Sequence, residues 1–121
     1  MTTDRRTALL ALKDAVEAGT LDPQTIGAID EAFDWDGNAV TMTGLWRIVD
    51  ENDVNAALAL LGAVLPGEQW AIYSQPPGYV ASIIADDRKD GQAEFTGMAL
   101  TPARALLLAI LVALLEQEAQ P

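Results

Sequence analysis

The chain has 121 residues, of which 50% are hydrophobic and 21% are charged, a balance typical of a folded globular protein that can bury its own core. Eighteen acidic side chains against seven basic ones give a net charge of -11, which disfavours direct binding to nucleic acid or to an anionic membrane surface. Cysteine and histidine are both absent, which excludes disulfides, thiolate nucleophiles and the usual zinc ligands.

These bounds predict a single domain over residues 1–121, with no enzymatic activity, no cofactor and no metal. Both serines, Ser74 and Ser82, fall in predicted strands and outside any nucleophile pattern. The acidic string around Gly37 resembles a calcium loop only superficially, because an alignment on that glycine places Ala32 and Thr43 at ligand positions. The N-terminal residues lack the apolar run and cleavage site of a secretory signal, so we expect a cytoplasmic protein.

The N-terminal quarter predicts two helices. Thr3 is a good N-cap, apolar residues then recur at helical spacing, and Gly19 ends the first helix. Asp22 followed by Pro23 repeats the start signal, and a second apolar stripe continues to Phe33. Because the connection is short, we expect the two helices to form a helical hairpin.

Residues 34–53 show no persistent period and contain turn-forming glycine and asparagine. We predict a loop here, with a short extended piece at 40–42 and enough large apolar side chains to hold the loop against the domain. A third helix follows, capped by Asn52 or Asp53 and ended at Pro66.

Alternation then replaces the helical period, and predicts three strands at 69–75, 79–86 and 92–97. Pro-Pro-Gly separates the first two strands, and a polar turn separates the second from the third, so the pattern indicates an antiparallel meander. Both faces of the meander are rather apolar, which favours a sheet between two helical layers. The remaining glycines are expected to be isolated stops and turns, and not a phosphate-binding loop: Gly62, Gly67, Gly78, Gly91 and Gly97.

A long apolar helix is predicted at the C-terminus, over residues 101–120. Thr101 and Pro102 signal its start, and from Ala103 to Leu115 only Arg104 is polar. This run is shorter than the roughly 20 residues that cross a bilayer, so we expect a core helix covered on more than one side. The predicted fold class is therefore α+β, an α/β/α sandwich with an N-terminal helical hairpin and a long apolar C-terminal helix.

Acidic residues are concentrated between Asp14 and Leu65, where Arg47 is the one basic residue. Two interpretations stay open: a solvated surface that keeps the protein soluble, or a negative face that docks on a basic partner. For the second interpretation, the candidate protein-binding residues are Asp30, Glu31, Asp34, Asp36, Asp50, Glu51 and Asp53.

Three tryptophans could pack in the core or anchor an interface, where tryptophan is enriched. Trp70 alternates on a strand face and is expected in the core. Trp35 and Trp46 lie in the irregular acidic segment and are the candidates for exposed anchors.

The second half of the chain resembles the phage ABA sandwich domain, a family of small bacteriophage and prophage proteins. The likeness is carried by NAALALLGAVLP at 55–66, a strand opening on Trp70, the strand YVASIIAD, and a final helix opening with TPARAL at 101–106. It extends over residues 22–115, although AVTMTGLWRIV is longer than the family pattern and the first helix is an addition. The resemblance implies α/β/α layering and a phage or prophage setting, and it implies no activity and no functional residues.

Two functions are compatible with these features. The first is a non-enzymatic phage accessory protein that binds a basic host or phage protein through the acidic half. Such a protein can inhibit a host nucleic-acid-binding or defence protein, such as a CRISPR effector, by occupying a groove built for phosphates. The alternative is a structural or assembly protein that acts as a homo-oligomer, with the apolar C-terminal helix seeking a partner helix.

Overall fold

A computed structural model describes residues 5–18, 47–65, 67–87 and 91–119. This part of the chain forms helices α1 (Arg5–Ala18), α2 (Val54–Val64) and α3 (Pro102–Ala119), and strands β1 (Gln69–Gln75), β2 (Gly78–Asp87) and β3 (Gly91–Ala99). The strands form an antiparallel sheet in the order β1-β2-β3. The predicted α+β class and the three-stranded meander are confirmed, whereas the second helix of the predicted hairpin lies outside the described residues.

Capping side chains fix the starts of α2 and α3. Asp53 has an extended backbone, and its side chain accepts a hydrogen bond of 3.0 Å from the Ala56 amide. The Thr101 hydroxyl accepts from the Arg104 amide at 3.4 Å, and Pro102 is the first residue of α3. Each side chain satisfies an amide that has no partner within its helix, so the start signals predicted from the sequence are confirmed.

Helix α3 is the central element of the described fold, because it contacts every other described helix and strand. The sheet, α1 and α2 all pack against it. Its buried residues therefore extend around the helix: Ala103, Ala105, Leu106, Leu107, Leu108, Ala109, Ile110, Leu111, Ala113 and Leu114. No helix in the described ranges has the length and apolar character needed to span a bilayer.

Helices α1 and α2 each turn one apolar stripe toward α3. In α1 the stripe consists of Leu9, Leu12 and Val16, all fully or nearly fully buried. In α2 it includes Leu60 and Leu61. Burial of a leucine side chain contributes roughly 1.5–3 kcal/mol, so this apolar layer supplies much of the stability of the helical side of the core.

The inner face of the sheet approaches α3 closely at Gly97. A Cβ atom at this position would lie closer than 3.0 Å to the backbone of Ala105 and Ala109. Gly97 is therefore a contact position within β3, and the expectation that it is an isolated turn is wrong. Gly62 also departs from that expectation, because it lies inside α2.

The outer face of the sheet is more open than the inner face. The register aligns Tyr73, Val80 and Met98 in one row across the three strands. Val80 is buried at the centre, whereas Tyr73 and Met98 are 51% and 65% exposed. A second helical layer over this face stays a prediction.

The segment before α2 includes a helical turn at 47–50, where the sequence predicts a loop. Ile48 and Val49 in this turn are buried. The loop prediction is wrong here because two adjacent apolar residues enter the core, and the helical turn pairs their backbone while doing so.

Candidate protein-binding site

The nine residues predicted to bind a partner fall into two groups. Six of them lie outside the described residues: Asp30, Glu31, Asp34, Trp35, Asp36 and Trp46. The other three, Asp50, Glu51 and Asp53, lie within four consecutive positions between the 47–50 turn and α2. We call these three residues the acidic corner.

The backbone of the acidic corner folds back on the 47–50 turn. The Arg47 carbonyl accepts hydrogen bonds from the Glu51 and Asp53 amides, at 3.1 and 3.0 Å. Between them, Asn52 has a φ of 53°, a left-handed conformation that asparagine tolerates better than most residues. The direction of the chain is thus reversed within a few residues, which brings the corner to the start of α2.

Two long-range hydrogen bonds attach the corner to the N-terminus of α3. The Asn52 side-chain oxygen accepts from the Ala103 amide at 3.1 Å. The Arg104 Nε donates to the Val49 carbonyl at 3.1 Å. Arg104, the one polar residue in the apolar run of α3, therefore serves to hold the 47–50 turn. Neither bond was predicted, because each joins residues more than fifty positions apart.

The three acidic side chains of the corner differ in their surroundings. Asp50 and Glu51 are exposed, whereas Asp53 is partly buried and caps α2. No ion pair to Asp50 or Glu51 is found within the described residues. Asp53 thus has a structural role that accounts for its residue type, while Asp50 and Glu51 stay candidates for binding a partner.

Helix dipoles make this corner a favourable place for acidic side chains. The amide groups at the start of α2 give that end a partial positive charge, which favours a nearby carboxylate. The start of α3 is linked to Asn52, so a second helix N-terminus lies beside the corner. A corner with two helix starts tolerates acidic residues, and Asp50 and Glu51 add exposed negative charge without opposing the fold.

A second candidate surface is apolar and lies at the β1–β2 turn. A cavity of about 260 Å³ opens there, and its lining carries no charged side chain: Gln75, Pro76, Pro77, Gly78, Tyr79, Met98, Ala99 and Leu100. Leu100 is 70% exposed. This composition suits an apolar contact and supplies no group for acid–base or nucleophilic chemistry other than a tyrosine hydroxyl.

Trp70 is 46% exposed, so the expectation that it packs in the core is wrong. It lies on β1, which is an edge strand of the sheet, and an edge position leaves one flank of the side chain uncovered. Alternation does not show this exposure, whereas the predicted meander does indicate it, because the first strand of a meander lies at an edge of the sheet.

Among the described ranges, no group of three or more acidic, cysteine or histidine side chains is arranged to hold a metal ion. Comparison with protein-family models, with curated proteins and with solved structures finds no match to this chain. The resemblance to the phage ABA sandwich domain therefore rests on the residues quoted above and stays a prediction.

Proposed function

We propose that this chain is a non-enzymatic phage or prophage accessory protein that binds a basic protein through its acidic half, in the bacterial cytoplasm. The observation that carries the proposal is the acidic corner, where Asp50 and Glu51 are exposed on a backbone held by hydrogen bonds to α3. A backbone that is already held in place loses little conformational freedom on binding, which favours association.

The partner that fits this surface is a protein with a lysine- and arginine-lined groove. Such grooves bind phosphates, and their cations pair with carboxylates through the same charge-assisted hydrogen bonds. The net charge of -11 increases the rate of encounter with a basic surface and repels competing nucleic acid. We propose inhibition of a host nucleic-acid-binding or defence protein, such as a CRISPR effector, by this charge mimicry.

We also propose that helical layers lie on both faces of the sheet. The resemblance implies an α/β/α sandwich, and the partly apolar outer face around Tyr73, Val80 and Met98 supports a second layer on that side.

Neutralisation of the corner tests the proposal. The triple variant Asp50→Asn, Glu51→Gln, Asp53→Asn removes three charges, and asparagine at 53 keeps the helix cap because it caps as well as aspartate. The matched control Asp14→Asn, Glu94→Gln, Glu116→Gln removes three charges from exposed positions on α1, β3 and α3. The free energy of unfolding of both variants is expected to lie within about 0.5 kcal/mol of that of the parent chain, as is usual for surface substitutions.

The measurement is the affinity of each variant for the basic protein retained by the parent chain. We expect at least a tenfold loss for the corner variant, since about 1.4 kcal/mol is tenfold, and a much smaller loss for the control. An equal loss in both variants would assign the binding to net charge alone. Unchanged affinity in the corner variant would exclude the acidic corner from the interface.

The alternative function is a structural or assembly protein that acts as a homo-oligomer. Most of the apolar residues of α3 are buried within the chain, which favours a self-association surface other than this helix. Self-association is favoured by a different surface, the exposed edge of β1.

A further inference from the structure

Strand β1 is an open edge of the sheet. Six of its seven residues are exposed, with Ile72 as the exception. Within the described residues no strand lies beyond it. An edge strand presents unpaired backbone amides and carbonyls, which readily pair with another strand.

This edge lacks the usual protection against pairing. The sequence from Gln69 to Ala85, covering β1 and most of β2, contains no charged residue, and β1 contains no proline. The opposite edge differs, because β3 has an exposed carboxylate, Glu94, in its middle. Charge on an edge strand opposes pairing, so β1 is the edge at which two chains of net charge -11 can meet without facing carboxylates.

The sequence of β1 is complementary to itself when two copies run antiparallel. With Ile72 on the two-fold axis, Trp70 lies opposite Ser74 of the second copy and Tyr73 lies opposite Ala71. Each large aromatic side chain thus faces a small one on the same face of the sheet. The outermost pair, Gln69 with Gln75, joins two uncharged amides.

The exposed aromatic side chains of β1 would be covered by this pairing. Trp70 is 46% and Tyr73 is 51% exposed, and they lie on opposite faces of the strand because three positions separate them. Helix α3 packs mainly on β2 and β3 and contacts β1 least. Among the described residues, α3 therefore leaves room beside Trp70 on the helix side of the sheet.

We propose that two copies of the chain pair through their β1 strands, antiparallel and in register about Ile72, to form one six-stranded sheet with a two-fold axis. The interface is isologous, so it closes at a dimer and does not extend into a fibre. The acidic corner is not part of this interface, so failure of the dimer and failure of partner binding are distinguished by separate variants.

Disulfide trapping tests the register. The chain has no cysteine, so Ile72→Cys introduces a single thiol, which lies opposite its copy at about 4.5–5.5 Å between Cα atoms, within the range of a disulfide. In Ser74→Cys the two thiols are four residues apart along the pair, roughly 13 Å, and cannot join. We expect covalent dimer from the first variant under mild oxidation and monomer from the second.

Charged substitutions on β1 test the same interface in solution. Sedimentation over a range of protein concentrations measures the dissociation constant of each variant. Ala71→Lys with Tyr73→Lys sets introduced lysines opposite each other, and is expected to raise the dissociation constant at least about tenfold. Ala71→Glu with Tyr73→Lys sets opposite charges there and is expected to restore association. The matched control, Thr96→Lys with Met98→Lys, adds the same two charges to exposed positions on β3 and is expected to leave the dimer intact.

Three results would overturn the proposal. A parent chain that is monomeric at all concentrations would do so, as would equal crosslinking of the two cysteine variants. A dimer that dissociates equally with the β1 and β3 lysine pairs would place the interface elsewhere. Circular dichroism of each variant establishes that the fold is retained in the comparison.

Discussion

The sheet and the acidic corner are both held by α3, but in different ways. The sheet approaches through close packing, where Gly97 brings β3 against the helix backbone. The corner is held by hydrogen bonds, from the Ala103 amide to Asn52 and from Arg104 to Val49. A substitution at a closely packed glycine adds atoms for which there is no room. A substitution at a hydrogen-bonded residue removes only that hydrogen bond. The sheet contact should therefore be the more sensitive of the two.

The largest loss of stability is expected from Gly97→Val. The added side chain would overlap the backbone of α3, so the sheet must shift, at a cost of about 3 kcal/mol or more. Urea unfolding measures the change. The neighbouring exposed residue supplies the control, since Thr96→Val adds no contact with α3 and should change stability by less than about 0.5 kcal/mol. Equal behaviour of the two variants would contradict the close approach.

An intermediate loss of stability is expected at Asn52, where the acidic corner is hydrogen-bonded to α3. Asn52→Ala removes the acceptor for the Ala103 amide and places alanine in a left-handed conformation, for a combined loss of about 2 kcal/mol. Asn52→Gly removes the same acceptor but tolerates the conformation, so its loss should be about 1 kcal/mol. If the two variants were equally stable, the left-handed backbone would have no energetic role.

The smallest loss is expected at the start of α2. Asp53→Ala removes the acceptor for the Ala56 amide and should cost about 1 kcal/mol. Asp53→Asn keeps an acceptor and should retain most of that stability. Thermal unfolding of the pair separates the capping role of this residue from its charge, and a large loss in the asparagine variant would show that the charge itself stabilises α2.

Local signals predicted most of the fold. The stripe of α1, the cap of α2, the Thr101–Pro102 start of α3 and the three strands all follow from spacing and capping within a few residues. The 47–50 turn was missed because its stability comes from burial of Ile48 and Val49 and not from a local period. The helical conformation of residues 47–50 depends on tertiary packing, which a single sequence does not display.

Gly97 did carry a usable signal. A glycine inside an alternating strand pattern indicates a bulge or the close approach of another backbone, and here it marks the contact with α3. The exposure of Trp70 had a signal of another kind, since the first strand of the predicted meander lies at an edge of the sheet. In the candidate site, the sequence predicted a cap by Asn52 or Asp53, and Asp53 is the cap. The link from Asn52 to Ala103 spans 51 positions and has no local pattern.

Binding of a basic partner by the acidic corner is best measured with a tagged pull-down from bacterial lysate at low and at high salt. Charge pairs at an exposed interface are screened by salt. We expect a basic, nucleic-acid-binding protein to be retained at low salt and lost at high salt. The variant with Asp50, Glu51 and Asp53 neutralised should lose this protein even at low salt. Retention that is independent of both salt and these three residues would contradict binding by the acidic corner.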